Sequence, residues 1–166
     1  MKRIIIIGPS GAGKSTLSSK LGDILNIPVY HLDNIWWNSD KTHITRDEFD
    51  LKLDSIIKDD KWIIDGDFSR TYEVRMEACD TIIFLDYSLD VCLSGVANRV
   101  GSIRSDIPWV EDELDSDFIL WIKTWFKEGL PKTKELLEKY KDFKDIIVFH
   151  NRDEANKYLE DLKKCL

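Results

Sequence analysis

The chain is short of basic charge: 24 Lys and Arg stand against 31 Asp and Glu, a formal net charge of −7. Proteins that track a nucleic-acid backbone neutralise its phosphates with a basic surplus, so direct duplex binding is not expected. Cysteine is scarce as well. Cys79, Cys92 and Cys165 lie in no CxxC or His-paired spacing, which argues against a zinc motif or a disulfide framework and reads as core thiols in a reducing compartment. The apolar run at the N-terminus, Ile4 to Ile7, stops at Gly8. That is far short of a signal h-region or of the ~20 residues of a membrane span; the expected location is the cytoplasm, with no membrane partner. No internal repeat, linker or low-complexity tract breaks the sequence. With 43% hydrophobic and 33% charged residues, residues 1–166 are expected to form one domain, monomeric or dimeric.

What is present is a regular alternation. Five short segments rich in β-branched or aromatic residues, "RIIII", "PVYHL", "KWII", "TIIFL" and "DIIVF", are separated by helical patterns. Leu17, Leu21, Ile24 and Leu25 share one helical face, and Phe49, Leu53, Ile56 and Ile57 share another behind "TRDE", whose Thr45 and Glu48 have capping-box spacing. Residues 88–100 read as helix. Phe118, Trp121, Ile122, Trp125 and Phe126 recur at i, i+3, i+4, i+7, i+8 and predict a helix over 116–127, ended by Gly129 and Pro131. A short helix over 132–141 and a last one marked by Ala155, Tyr158, Leu159 and Leu162 complete the pattern. Continuously apolar strands must be covered on both faces, and strands joined through helices imply right-handed parallel crossovers. The expected class is α/β, a three-layer sandwich around a five-stranded parallel sheet.

The strands run into polar residues at their carboxyl ends: Gly8, Asp33, Asp65, Asp86 and His150. In open α/β sheets that edge binds ligands. At the first of these ends stands "GPSGAGKS", which satisfies G-x-x-x-x-G-K-[ST] from Gly8 to Ser15 between a strand and a helix. Gly8, Gly11 and Gly13 let consecutive N–H groups turn inward on phosphate oxygens, with Pro9, Ser10 and Ala12 between them. Lys14 adds a point charge for the terminal phosphates, Ser15 offers a hydroxyl to a magnesium ion, and Thr16 is a secondary candidate. The glycine order is not that of a dinucleotide turn. A GTPase is not expected either, since the nearest match to Asn-Lys-x-Asp, "NRDE" at 151–154, has arginine for lysine and a misplaced aspartate.

Through "GPSGAGKST", "VYHLDNIWW", "WIIDGDFSR" and "DTIIFLD" the chain resembles the P-loop kinases of the adenylate-kinase and shikimate-kinase type over essentially its whole length. The order of those phrases is similar to that in the small adenylate-kinase-related proteins called DNA topology modulation proteins. The resemblance implies a nucleotide-kinase-like P-loop fold with strand order 2-3-1-4-5, ATP and Mg2+, and transfer of the terminal phosphate to a nucleoside, nucleotide or similar small metabolite. It maps Asp33 to the carboxylate facing the acceptor, where it orients the attacking hydroxyl, accepts its proton, or merely caps the next segment. It maps Asp65 to the magnesium water and Arg70 to substrate phosphate, with Arg75 as fallback. Asp86 competes with Asp65 for the metal or caps the helix near Ser88. Residues 34–60 are the expected substrate region and 99–115 the expected lid, with Arg99 on the nucleotide and Arg104 clamping phosphate in the transition state. Trp37, ahead of Trp36, is the candidate to stack an acceptor ring, and His150 and Arg152 stand near the expected base-binding edge. The alternative reading is an ATP- or GTP-binding regulator acting through a partner, with an indirect effect on DNA topology.

Overall fold

A computed structural model describes residues 1–165. Five strands, β1 (Arg3–Ile7), β2 (Val29–His31), β3 (Trp62–Asp65), β4 (Thr81–Leu85) and β5 (Asp145–Phe149), form one sheet in the order β2-β3-β1-β4-β5. All four pairings are parallel; Ile5 lies opposite Ile64 on one side and Ile82 on the other. The two-residue period sends alternate side chains to opposite faces. Ile5, Ile7, Trp62, Ile64, Ile82 and Phe84 enter one core, while Ile4, Ile6, Ile63, Ile83 and Leu85 enter the other.

Among the described residues, eight α-helices flank the sheet: α1 (Lys14–Leu25), α2 (Leu32–Trp36), α3 (Arg46–Ile57), α4 (Tyr72–Ala78), α5 (Leu89–Arg99), α6 (Ser116–Thr124), α7 (Leu130–Tyr140) and α8 (Arg152–Lys164). Helices α3, α4 and α7 cover the first face through Phe49, Leu53, Tyr72, Met76 and Leu137. Helices α1, α5 and α8 cover the second through Leu17, Leu21, Cys92, Ala155 and Leu159. The capping box of α3 forms as its spacing predicts, Thr45 accepting from the Glu48 N–H while the Glu48 carboxylate accepts from the Thr45 N–H. Cys79 and Cys92 are buried thiols; Cys165, expected in the core, is exposed.

One boundary differs from expectation. Gly129 and Pro131 do not end the helix that begins at Ser116; residues Trp125–Gly129 form a π-helical turn that carries the chain directly into α7. The wider turn absorbs the proline, because Pro131 falls in the first turn of α7, where its missing N–H costs little. The Thr133 hydroxyl donates to the Gly129 carbonyl at 2.9 Å, satisfying an acceptor near the break. Among the described residues no helix is long and apolar enough to cross a membrane.

Candidate active site

The carboxyl edge of the sheet opens into a cavity of about 1570 Å³ walled by the 8–15 loop, α2, the segment after β3, residues 99–115 and one face of α8. Small-molecule sites are usually 300–1,000 Å³, so the space suits two ligands side by side.

Its floor is the loop between β1 and α1. Gly11 and Gly13 take φ of 83° and 93°, the left-handed region that a side chain disfavours. Gly13 caps α1 without any side-chain hydrogen bond to the helix, and a Cβ built there would meet nothing within 4 Å. The helix N-terminus, with its free N–H groups and positive dipole end, therefore faces open space, the arrangement an anion needs. The Lys14 ammonium donates to the carbonyls of Gly8 and Pro9 at 2.9 and 3.0 Å, holding the loop in its curl. Gly11 packs directly on α5: a Cβ on Gly95 would collide with the Gly11 carbonyl.

Asp33 stands on α2, in the first turn after β2, and faces the cavity. Burial pushes its carboxyl up to about 6; the negative charges of Asp106 and Asp65 add to that, while Lys14 and Arg104 oppose it. Asp65 ends β3, buried, accepting from the Ser18 hydroxyl and lying 2.7 Å from His31 Nδ1. Burial pulls the His31 pKa down, but its hydrogen bond to Asp65 and the charges of Asp65, Asp106 and Asp33 outweigh this and hold it above the usual histidine value. Asp65 is thus braced on Ser18 and His31, while the hydroxyl of Ser15 is engaged elsewhere.

Ser15 donates to Asp106 Oδ2 at 2.8 Å. Asp106 accepts both forks of Arg104, at 2.9 and 2.6 Å, and Arg104 also donates to Glu111 at 2.8 Å. Burial alone would raise the Asp106 carboxyl; the Arg104 guanidinium more than compensates and holds it below the ordinary aspartate value. Arg99, at the end of α5, pairs with Glu111 at 2.9 Å and lies over the Phe118 ring. The segment expected as a lid has no regular structure between α5 and α6 and is drawn over the cavity. Besides Ser15–Asp106, it is held by the Asn34 amide on the Ser105 carbonyl and by Trp109, whose ring meets Trp37 edge-on at 5.7 Å.

Other expected residues lie elsewhere. Arg70 does not line the cavity: it is exposed and forms a two-pronged pair with Asp50 of α3 at 3.0 and 2.6 Å. Arg75, its fallback, is fully buried and spends its donors on Thr71 Oγ1 and the carbonyls of Gly66 and Phe68, shaping the chain after β3. Asp86 does not cap α5; Ser88 does, and Asp86 pairs with Lys134 at 2.9 Å. His150 is exposed outside the cavity, whereas Arg152 lines it and donates to the Gly11 carbonyl at 3.3 Å. Trp36 and Trp37 both line the cavity, Trp36 stacked on His43.

No protein-family model matches the chain, and no curated protein matches it. Solved structures do. Shikimate kinase from Acinetobacter baumannii in complex with shikimate is similar over 99% of this chain and 94% of its own, at 17% identity and TM-score 0.61. A gluconokinase from Sinorhizobium meliloti 1021 aligns over 98% and 90%, at 12% identity and TM-score 0.59. Deoxyadenosine kinase from M. mycoides with bound dCTP aligns over 98% and 99%, at 14% identity and TM-score 0.51. The fold is that of the P-loop kinases. At such identities the likeness is one of architecture, and within this P-loop fold two residues escaped the sequence reading. Asp106 is one of several acidic residues in its segment, with nothing in the sequence to mark its bond to Ser15, and Gly95 carries no signal, because its role exists only where α5 meets the loop.

Proposed function

We propose that the protein is an ATP-dependent phosphotransferase that moves the terminal phosphate of ATP to a nucleoside, nucleotide or similar small metabolite. The observation that carries this reading is the opposition, across one cavity, of a glycine-built anion cradle ending in Lys14-Ser15 and a desolvated carboxylate, Asp33. The N–H groups of the loop from Ser10 to Thr16, set between Gly8 and α1 with Pro9 shaping its start, hold the donor phosphates, Lys14 and Arg104 neutralise the charge that spreads over the transferred group, and Arg99 flanks the nucleotide. Asp33 accepts the proton of the acceptor hydroxyl as that oxygen bonds to the terminal phosphorus and the bridging oxygen leaves with ADP.

The donor set suits magnesium. No group of three His, Cys, Asp or Glu among the described residues is placed to hold a metal alone, and magnesium takes few protein ligands, keeping waters and substrate phosphates in its octahedral shell. Ser15 would hold the ion directly and Asp65 through a water; when bound, it neutralises and orients the donor phosphates.

The test is transfer of labelled phosphate from ATP across a panel of nucleosides, nucleotides and hydroxylated metabolites. Lys14→Ala is expected to lower transfer by about 100-fold or more, and Asp33→Asn to abolish transfer to alcohols while ATP binding persists. Absence of any phosphorylated product would overturn the reading in favour of an ATP-binding regulator.

A further inference from the structure

The acceptor half of the cavity is built from α2, the segment after β3 and residue Trp109. Two partly buried carboxylates line it, and Lys41 lines the cavity as an exposed residue. Asp33 faces Lys14 and Arg104, and Asp67 accepts from the Tyr72 hydroxyl.

The arginines are either assigned above to the donor side or turned away from this half of the cavity; Arg152, which also lines the cavity, reaches the Gly11 carbonyl at 3.3 Å. Arg70 points to Asp50 outside the cavity, and Arg75 is locked on backbone carbonyls. Arg104 is shared between Asp106 and Glu111, and Arg99 is paired with Glu111. Lys14 belongs to the phosphate loop. The remaining walls are the aromatic faces and edges of Trp36, Trp37, Phe68 and Trp109.

We infer that the acceptor is a hydroxylated ring compound without negative charge, uncharged or cationic, selected against phosphates and carboxylates by Asp33 and Asp67 and held on the tryptophan walls. This rests on the phosphotransferase reading for its second ligand. An anion entering this half would meet two carboxylates and the donor's own phosphates, and like charges brought together in a desolvated site are strongly disfavoured. An uncharged ring loses nothing to that field, gains apolar and stacking contact, and presents its hydroxyl to Asp33. A cationic ring gains twice, from the carboxylates and from the indole faces.

The experiment is equilibrium binding, read by tryptophan fluorescence, to protein loaded with a non-hydrolysable ATP analogue and magnesium, so that the donor side is filled. Matched pairs are compared: adenosine with its 5′-monophosphate, cytidine with its 5′-monophosphate, and glucosamine with gluconate. In at least one pair the member without negative charge is expected to bind about tenfold tighter or more. Asp67→Asn, which leaves an acceptor for the Tyr72 hydroxyl, is expected to shrink that ratio severalfold; an unchanged ratio would remove Asp67 from the selectivity. Equal or tighter binding of the anion in every pair, or no binding by any member, overturns the inference. Phosphate transfer from ATP, measured on the same pairs, separates the two proposals. Charge-selective binding without transfer defeats the phosphotransferase and leaves the selectivity; efficient transfer to the monophosphates or gluconate does the reverse.

Discussion

Asp33 illustrates how one residue ties activity to stability. Its carboxyl, raised to about 6, is neutral at pH 5 and ionised at pH 8. If the ionised form takes the acceptor proton, kcat/KM should rise tenfold per pH unit below a midpoint near 6 and level off above it, which a pH–rate profile checks. The folding linkage runs the other way. A carboxyl raised in the folded state contributes stability that is present below the unfolded pKa near 4 and is lost as pH rises through the folded value. Asp33→Asn should therefore be more stable than the parent at pH 8, by roughly 1–3 kcal/mol, with the advantage vanishing near pH 4, as urea melts at the two pH values would show. At this scale the sequence was legible where chemistry is local. Residues 8–16 are contiguous, so a turn built on left-handed glycines and running straight into a helix could be read without any tertiary information. Arg70 and Arg75 were not legible, because an arginine's partner is chosen by packing. One residue finds Asp50 on a neighbouring helix, and the other is swallowed by the loop it supports.

At the scale of elements, the strands and most helices could be read because each repeats its apolar positions at its own period. The π-helical turn over Trp125–Gly129 could not, since glycine and proline in sequence signal a stop, whereas the burial of Trp125 and the placement of Pro131 in the first turn of α7 are set by packing. The capping box of α3 predicts that Thr45→Ala costs about 1 kcal/mol of stability, measurable by denaturant titration. Segment 99–115 is held over the cavity by few contacts, the Ser15–Asp106 hydrogen bond foremost among them, while the Arg104 fork on Asp106 braces the segment internally. Asp106→Ala removes both the Ser15 bond and the Arg104 fork; amide exchange in this segment should accelerate about tenfold or more while exchange in β1 and β4 is unchanged. Uniform acceleration across the sheet would show that Asp106 serves global stability instead.

For the whole molecule, the net charge of −7 predicts no retardation of duplex DNA in a gel shift at low salt, where electrostatic binding is strongest. The sheet order follows from the parallel, doubly covered strands, and it brings the ends of β1, β2 and β3 to one edge, although Ile7 and Asp65, the ends of β1 and β3, stand 58 positions apart in the chain. The contact between Gly11 and Gly95 acquires a mechanical meaning in this setting. Helix α5 touches the 8–15 loop backbone to backbone in its middle and carries Arg99 at its C-terminal end, so the loop and the arginine share one rigid element whose meeting point is a pair of residues with no side chains to yield. Any side chain at Gly95 would have to push the loop and the helix apart.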